Sequence, residues 1–111
     1  MSSPRSAKKL GILLASGPRD GDFSVVESAI RGAQARGEEV ALFLMDAGVD
    51  YALEARLLAL VDAGLDVSLC AMDAEAHGLD GARLQAAGIT LGSQHDHARL
   101  LRDSDRFLSF T

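Results

Sequence analysis

The sequence predicts an α/β protein, a three-layer α/β/α sandwich around a five-stranded, mainly parallel sheet. Apolar runs of strand length alternate along the chain with segments whose apolar residues recur at helical spacing. A helical segment separates each strand from the next, which predicts right-handed crossovers and helices on both faces of the sheet. The 111 residues suit a single domain, expected at 9–111 after a flexible N-terminal segment at 1–8.

The first strand is predicted at about 9–16, where apolar residues follow one another almost without interruption. A loop dense in glycine, proline and aspartate follows at 17–22. The first helix is predicted to begin near Ser24, because Glu27 stands three residues further on, as in a capping box. Gly37 is expected to end this helix, since glycine readily adopts the left-handed conformation of a helix end.

The second strand is predicted at 39–45, and its apolar residues on both faces are typical of a central parallel strand. The turn at 46–49 leads into a second helix at about 51–63, whose apolar residues form one stripe. Gly64 is expected to end that helix. The third strand is predicted at 65–70, where apolar and polar residues alternate.

The remaining elements are shorter. An acidic segment at 73–78 is typical of the first turn of a helix, and another short helix is predicted at about 80–87. Residues 89–91 predict a brief fourth strand, and a last helix is predicted at about 97–102. The apolar residues of 106–110 predict a fifth strand that ends the domain.

The composition excludes several classes of function. A net charge of −5 and a pI near 5.0 argue against nucleic acid as a partner, because phosphate binding needs a cationic surface. No apolar run reaches the roughly 20 residues of a membrane span, so no membrane partner is expected. Lys8 and Lys9 before the first apolar run imitate a secretory signal, but the run is short for that role. One cysteine cannot form an internal disulfide, which favours a cytoplasmic protein, and we expect no metal and no cofactor.

Cys70 is the lone cysteine, and it closes the third predicted strand directly before the acidic segment. A thiol at the carboxyl end of a parallel strand lies at the edge where open α/β sheets bind ligands. The N–H groups of a following helix favour the thiolate, so an accessible and reactive thiol is one interpretation. A buried structural cysteine is the other, because free cysteines are among the most buried residues.

Four features stand in order along the chain. The first strand ends in Ala-Ser-Gly-Pro at 15–18, and the second is followed by Asp-Ala-Gly-Val at 46–49. Seven residues separate Cys70 from Gly78, and Ser-Asp-Arg begins the final segment at 104–110. Together these features resemble the DsrE/TusD family of small sulfur-relay proteins, which have the DsrE/F/H-like fold.

The resemblance implies that Cys70 carries sulfur as a persulfide and passes it between donor and acceptor proteins. It also implies a homo-oligomer, trimer or hexamer, or a hetero-oligomer with related subunits. His77 stands where sulfur-relay members have an arginine, so it is a second candidate catalytic residue, although it supports a thiolate less than a guanidinium does. Asp73 and Glu75 add negative charge nearby, which disfavours a thiolate. A surface histidine that caps the short helix is the alternative interpretation of His77.

A ligand-binding set is predicted at the same edge of the sheet, comprising Gly17, Pro18, Arg19 and Gly78. The loop lacks the glycine spacing and the lysine of known phosphate-binding loops, and Asp20 and Asp22 would repel a phosphate. A structural loop is therefore the alternative, with Arg19 available to guide an anionic sulfur donor or a partner.

The run His95-Asp96-His97 invites a metal interpretation, but it is predicted to lie in a turn with no supporting ligand elsewhere. Asp96 is better explained as the N-cap or a first-turn acid of the last helix.

Three functions remain open from the sequence. The first is a sulfurtransferase or sulfur carrier that uses Cys70. The second is a non-catalytic subunit or binding module with an incidental cysteine. The third is a regulator that binds a small ligand or nucleotide at the same edge.

Overall fold

The computed structural model describes residues 8–111, so most of the segment expected to be flexible, residues 1–7, lies outside the described residues. The strands are β1 (Lys9–Leu14), β2 (Glu39–Leu44), β3 (Asp66–Cys70), β4 (Thr90–Gly92) and β5 (Arg106–Phe110). The α-helices are α1 (Phe23–Ala35), α2 (Ala55–Asp62), α3 (Ala71–Ala76), α4 (Gly81–Ala86) and α5 (Gln94–Asp103). Two 3₁₀ helices follow β1 and β2, at Pro18–Asp20 and Asp46–Tyr51.

The five strands form one sheet in the order β4-β3-β2-β1-β5, and every neighbouring pair is parallel. The predicted fold class is therefore confirmed, with a sheet that is wholly rather than mainly parallel. All strands end at the same edge of such a sheet, where loops and helix starts form the binding surface of open α/β folds. No helix among residues 8–111 is long and apolar enough to span a membrane.

Most of the core lies on one face of the sheet. Side chains of β1, β2 and β3, including Ile12, Leu42 and Leu69, are fully or almost fully buried there. They pack in one cluster with residues of α1, α2, α3 and α4, such as Ile30 and Leu57. The alternation along each strand explains this arrangement, because every second side chain points to the same face.

The opposite, second face has a smaller cluster, which we call the second-face cluster, formed by Leu13, Ala41, Phe43, Cys70 and Leu100. Leu100 belongs to α5, and within the described chain no other helix contributes a buried residue to this cluster. The expected helices on both faces are thus present, but they are unequally divided. Cys70 belongs to the thinly covered face.

Two predicted helix starts are wrong by several residues. The second helix begins at Ala55 rather than near residue 51, because the preceding residues form the 3₁₀ helix Asp46–Tyr51. The last helix begins at Gln94 rather than at His97. There the Ser93 hydroxyl accepts the N–H of His95, and the Asp96 carboxylate accepts the N–H of Ser93, so these side chains cap an earlier turn.

The capping box predicted at Ser24 and Glu27 is absent, and α1 begins one residue earlier, at Phe23. The Glu27 carboxylate instead accepts hydrogen bonds from Arg56 of α2 and from Arg31. The hydrogen bond from Arg56 is the main cause that lowers the pKa of Glu27 below its ordinary value. The carboxylate therefore links α1 to α2 rather than capping α1.

Candidate functional site

Cys70 ends β3 and is the N-cap residue of α3, which begins at the next residue. This is the predicted position at the carboxyl edge of the sheet. In the register of β3 and β4, Cys70 lies opposite Gly92, so no side chain of β4 flanks the thiol from that position. The thiol is free.

The residue retains 8% of its surface exposed, because it packs in the apolar cluster of the second face. Met45 and Phe107 also pack against this cluster. The expected accessible thiol is therefore at the expected edge but is largely covered. Little of the surface of this residue is therefore open to a reaction partner.

The first turn of α5 is fixed beside this cluster. The ring of His97 stacks on Phe43 with 5.6 Å between ring centroids, and on Phe107 with 6.2 Å. His97 Nδ1 lies 3.2 Å from the Gln94 side-chain oxygen, and the Gln94 amide lies 3.9 Å from the sulfur of Met45. These contacts hold the start of α5 against the residues that surround the thiol, and the sequence offered no signal for them.

His95-Asp96-His97 lies within the first turn of α5, so the predicted placement in a turn before the helix is wrong. Asp96 lies in the first turn of α5, so it is a first-turn acid rather than the N-cap. It also forms an ion pair with Arg99 at 2.9 Å. Among the described residues no group of three or more side chains is arranged to hold a metal ion.

His77 is the C-cap residue of α3, and its Nδ1 lies 2.9 Å from a carboxylate oxygen of Asp50. Within residues 8–111 no hydrogen bond joins His77 to Cys70. Gly78 follows with φ +75°, a left-handed conformation that glycine adopts without strain as the helix ends. The structure thus ties His77 to the 3₁₀ helix after β2 and gives Gly78 a role in ending α3.

A second link joins the same two elements. Asp46 has φ +48°, which is uncommon for a residue other than glycine, and its N–H donates to the carboxylate of Asp73 at 2.7 Å. Asp73 belongs to the first turn of α3, so both ends of this short helix are held by the loop after β2. The sequence indicated the turn at 46–49 but not this contact.

The backbone N–H and carbonyl of Gly17 form hydrogen bonds, one within its own loop and one with the 3₁₀ helix after β2. Its N–H donates to the Asp20 carboxylate at 2.9 Å, and its carbonyl accepts the hydroxyl of Tyr51 at 3.2 Å. A Cβ at Gly17 would lie 2.9 Å from the Cβ of Ala47, so the loops after β1 and β2 approach closely here. Pro18 and Arg19 are exposed.

A hollow of about 320 Å³ lies between these loops, and Gly17, Pro18, Arg19, Asp20, Ala47 and Asp50 line it. Neither Cys70 nor Gly78 belongs to its lining, so the predicted ligand-binding set is only partly brought together. Burial raises the pKa of Tyr51, and the nearby carboxylates of Glu54, Asp22 and Asp20 raise it further. Negative charge is therefore concentrated at these loops.

Solved structures share this fold at low sequence identity. A conserved protein of unknown function from Bacteroides thetaiotaomicron has a TM-score of 0.77 and 21% identity over 92% of this chain and 94% of its own. The ychN protein from E. coli has a TM-score of 0.71 and 19% identity, covering 93% and 99% of the two chains. A protein of unknown function from Methanobacterium thermoautotrophicum has a TM-score of 0.73 and 14% identity, covering 94% and 99%.

No protein with a curated description matches the chain. The family model of the DsrE/DsrF-like family matches residues 8–110, which is nearly the whole sequence. The match agrees with the parallel sheet and with the fold that the solved structures share. The chain therefore belongs to the DsrE/DsrF-like family.

Proposed function

We propose that the protein is a small sulfur carrier or sulfurtransferase that holds sulfane sulfur as a persulfide on Cys70. The observation that carries the proposal is the position of the lone cysteine, at the carboxyl end of β3 and the start of α3, in a chain of the DsrE/DsrF-like family. A single cysteine suits a relay, because no second thiol in the chain can displace the carried sulfur by forming an internal disulfide.

The chemistry consists of two displacements at sulfur. The Cys70 thiolate attacks the terminal sulfur of a donor persulfide, a new S–S bond forms at Cys70, and the donor leaves as a thiolate. An acceptor thiolate then attacks the terminal sulfur on Cys70, which is released as a thiolate. Electrons and sulfur balance in each step, so no cofactor is needed.

Both steps require contact with the sulfur of a residue that is only 8% exposed. We infer that the first turn of α5 and the side chain of Met45 shift during transfer, since these groups lie beside the cluster that covers the thiol. No neighbouring cation supports the thiolate through a contact in the described chain. His77 acts in this proposal by holding α3 to Asp50.

The first prediction tests the loading of sulfur. Incubation with a sulfane-sulfur donor, removal of the donor and intact mass spectrometry are expected to show one added sulfur on the wild-type protein and none on the Cys70→Ser variant. Dithiothreitol is expected to remove the added sulfur, because a persulfide is reducible. A wild-type protein that stays unmodified under native conditions would contradict the proposal.

The alternative function is a non-catalytic DsrE-like subunit, or a module that binds a small ligand in the hollow beside Arg19. The apolar surroundings of Cys70 favour this alternative, because a cysteine packed among Leu13, Ala41 and Phe43 fits a structural role. In that case Cys70 reacts with sulfur donors only after denaturation, which the same mass measurement detects.

We also propose that the protein assembles into a homo-oligomer, a trimer or hexamer, or joins related subunits, and that it works in the cytoplasm. Leu101 on α5 is 53% exposed and Leu108 on the edge strand β5 is 40% exposed, so apolar side chains remain for contact with another subunit. Light scattering at micromolar concentration is expected to give a mass of three or six chains, and a monomer would contradict assembly of the protein alone.

A further inference from the structure

An apolar groove of about 350 Å³ lies between α3, α4 and β4. Ala71, the residue that follows Cys70, is part of its lining. Ala71, Met72, Leu79 and Leu91 are among its lining residues, and Glu75 is the one charged residue among them. Met72 is 79% exposed, the largest value among the exposed apolar side chains of the described residues. An apolar side chain in this position is typical of a surface that contacts another molecule.

The loops at the same edge of the sheet carry a large excess of negative charge. Segments 17–22, 46–54 and 71–82 follow β1, β2 and β3, and they hold eight of the chain's 16 acidic residues but one of its 11 lysines and arginines, Arg19. We call the eight carboxylates the acidic edge: Asp20, Asp22, Asp46, Asp50, Glu54, Asp73, Glu75 and Asp80. Arg56 and Arg83 lie just beyond the second and the third of these segments, and Arg56 pairs with Glu27 of α1.

The lysines and arginines of the described chain do not neutralise the acidic edge, and the contact of Asp50 with His77 is an ion pair only when the imidazole is protonated. In the described part of the chain no lysine or arginine forms an ion pair with any of these eight residues. Several of the carboxylates accept hydrogen bonds from neutral groups, such as Asp73 from the N–H of Asp46 and Asp22 from the hydroxyl of Ser16. A neutral donor leaves the negative charge in place, so the surface attracts cations and repels small anions.

We propose that the groove and the acidic edge together dock a segment of a partner protein in which an apolar side chain lies between lysines or arginines. The apolar side chain fills the groove beside Met72, and the cations lie against Glu75 and the neighbouring carboxylates. The identification of this partner as the one that exchanges sulfur with Cys70 rests on the proposed function. The docking itself does not, because it needs no thiol.

The test uses short fluorescent peptides without cysteine and fluorescence anisotropy at low ionic strength. A peptide with leucine between lysines is expected to bind, whereas a peptide with serine between lysines or leucine between glutamates is expected to bind far more weakly. Met72→Ser and Glu75→Gln are each expected to weaken binding about five-fold, as for central interface residues. Added salt is expected to weaken it further, since the Debye length is about 10 Å at 0.1 M.

Two variants outside the surface serve as matched controls. Val25→Ser removes another exposed apolar side chain, on α1, and Asp62→Asn removes an exposed acid at the end of α2, so both are expected to leave binding unchanged. Equal binding of the serine and leucine peptides, no binding of the leucine–lysine peptide, or no effect of Met72→Ser would overturn the proposal. Cys70→Ser is expected to retain peptide binding, so a failure of sulfur loading and a failure of docking are separate results.

Discussion

Among the glycines whose φ is not positive, Gly48 is the one whose replacement by alanine is expected to destabilise the fold most. A Cβ at residue 48 would lie 2.0 Å from the carbonyl oxygen of Leu14 and 2.8 Å from its carbonyl carbon. These atoms belong to the backbone of β1, an inner strand of the sheet, so they cannot turn aside as a side chain would. We expect a loss of about 3 kcal/mol or more in the free energy of unfolding, measured by urea denaturation.

Gly32→Ala is the matched control for this measurement. Its Cβ would meet a single atom within 4 Å, the end of the Arg36 side chain at 3.5 Å, and the residue lies inside α1. Alanine is the better helix former, so this variant is expected to gain about 0.5–1 kcal/mol. A Gly48→Ala protein as stable as the wild type would show that the loop after β2 does not pack against the end of β1.

Phe43→Ala is expected to have the largest effect on the surroundings of the thiol. Phe43 is fully buried, shares the second-face cluster with Cys70 and carries the stacked ring of His97. Truncation of a buried phenylalanine costs about 3–5 kcal/mol, because it leaves a cavity. We also expect Cys70 to react faster with iodoacetamide under native conditions, since the cavity adjoins the cluster that covers the sulfur.

Leu60→Ala separates this local effect from general destabilisation. Leu60 is fully buried in the larger cluster on the other face, and its truncation is expected to cost about 2–5 kcal/mol. If opening of the whole fold controlled access to the thiol, both variants would raise the alkylation rate alike. A faster reaction in Phe43→Ala alone supports local cover by the second-face cluster.

The strands could be predicted from the sequence because apolar residues mark them directly. The both-sided apolar character of 39–45 predicted a central strand, and the last strand is found at the predicted residues 106–110. Helix starts were less predictable, since the unpaired N–H groups at the start of a helix find partners that can lie far away in the sequence. Asp73 supplies one of these partners from 27 residues away.

The candidate site was predictable in position but not in surroundings. The end of the alternating run at 65–70 placed Cys70 at the carboxyl edge of the sheet. Its cover depends on Phe43 and on Leu100 of α5, which are distant in sequence and join the cluster of Cys70 only through the fold. The contact of His77 with Asp50 is likewise long-range, so the spacing between Cys70 and Gly78 could not reveal it.

The most direct test of the sulfur-relay proposal follows one labelled sulfur through loading and release. The wild-type protein is loaded from a donor that carries isotopically labelled sulfane sulfur, freed of donor, and mixed with an acceptor thiol under native conditions. The proposal predicts that one labelled sulfur appears on Cys70, then leaves for the acceptor while the protein returns to its original mass. Label that never enters the wild-type protein, or that enters Cys70→Ser equally well, would contradict the proposal.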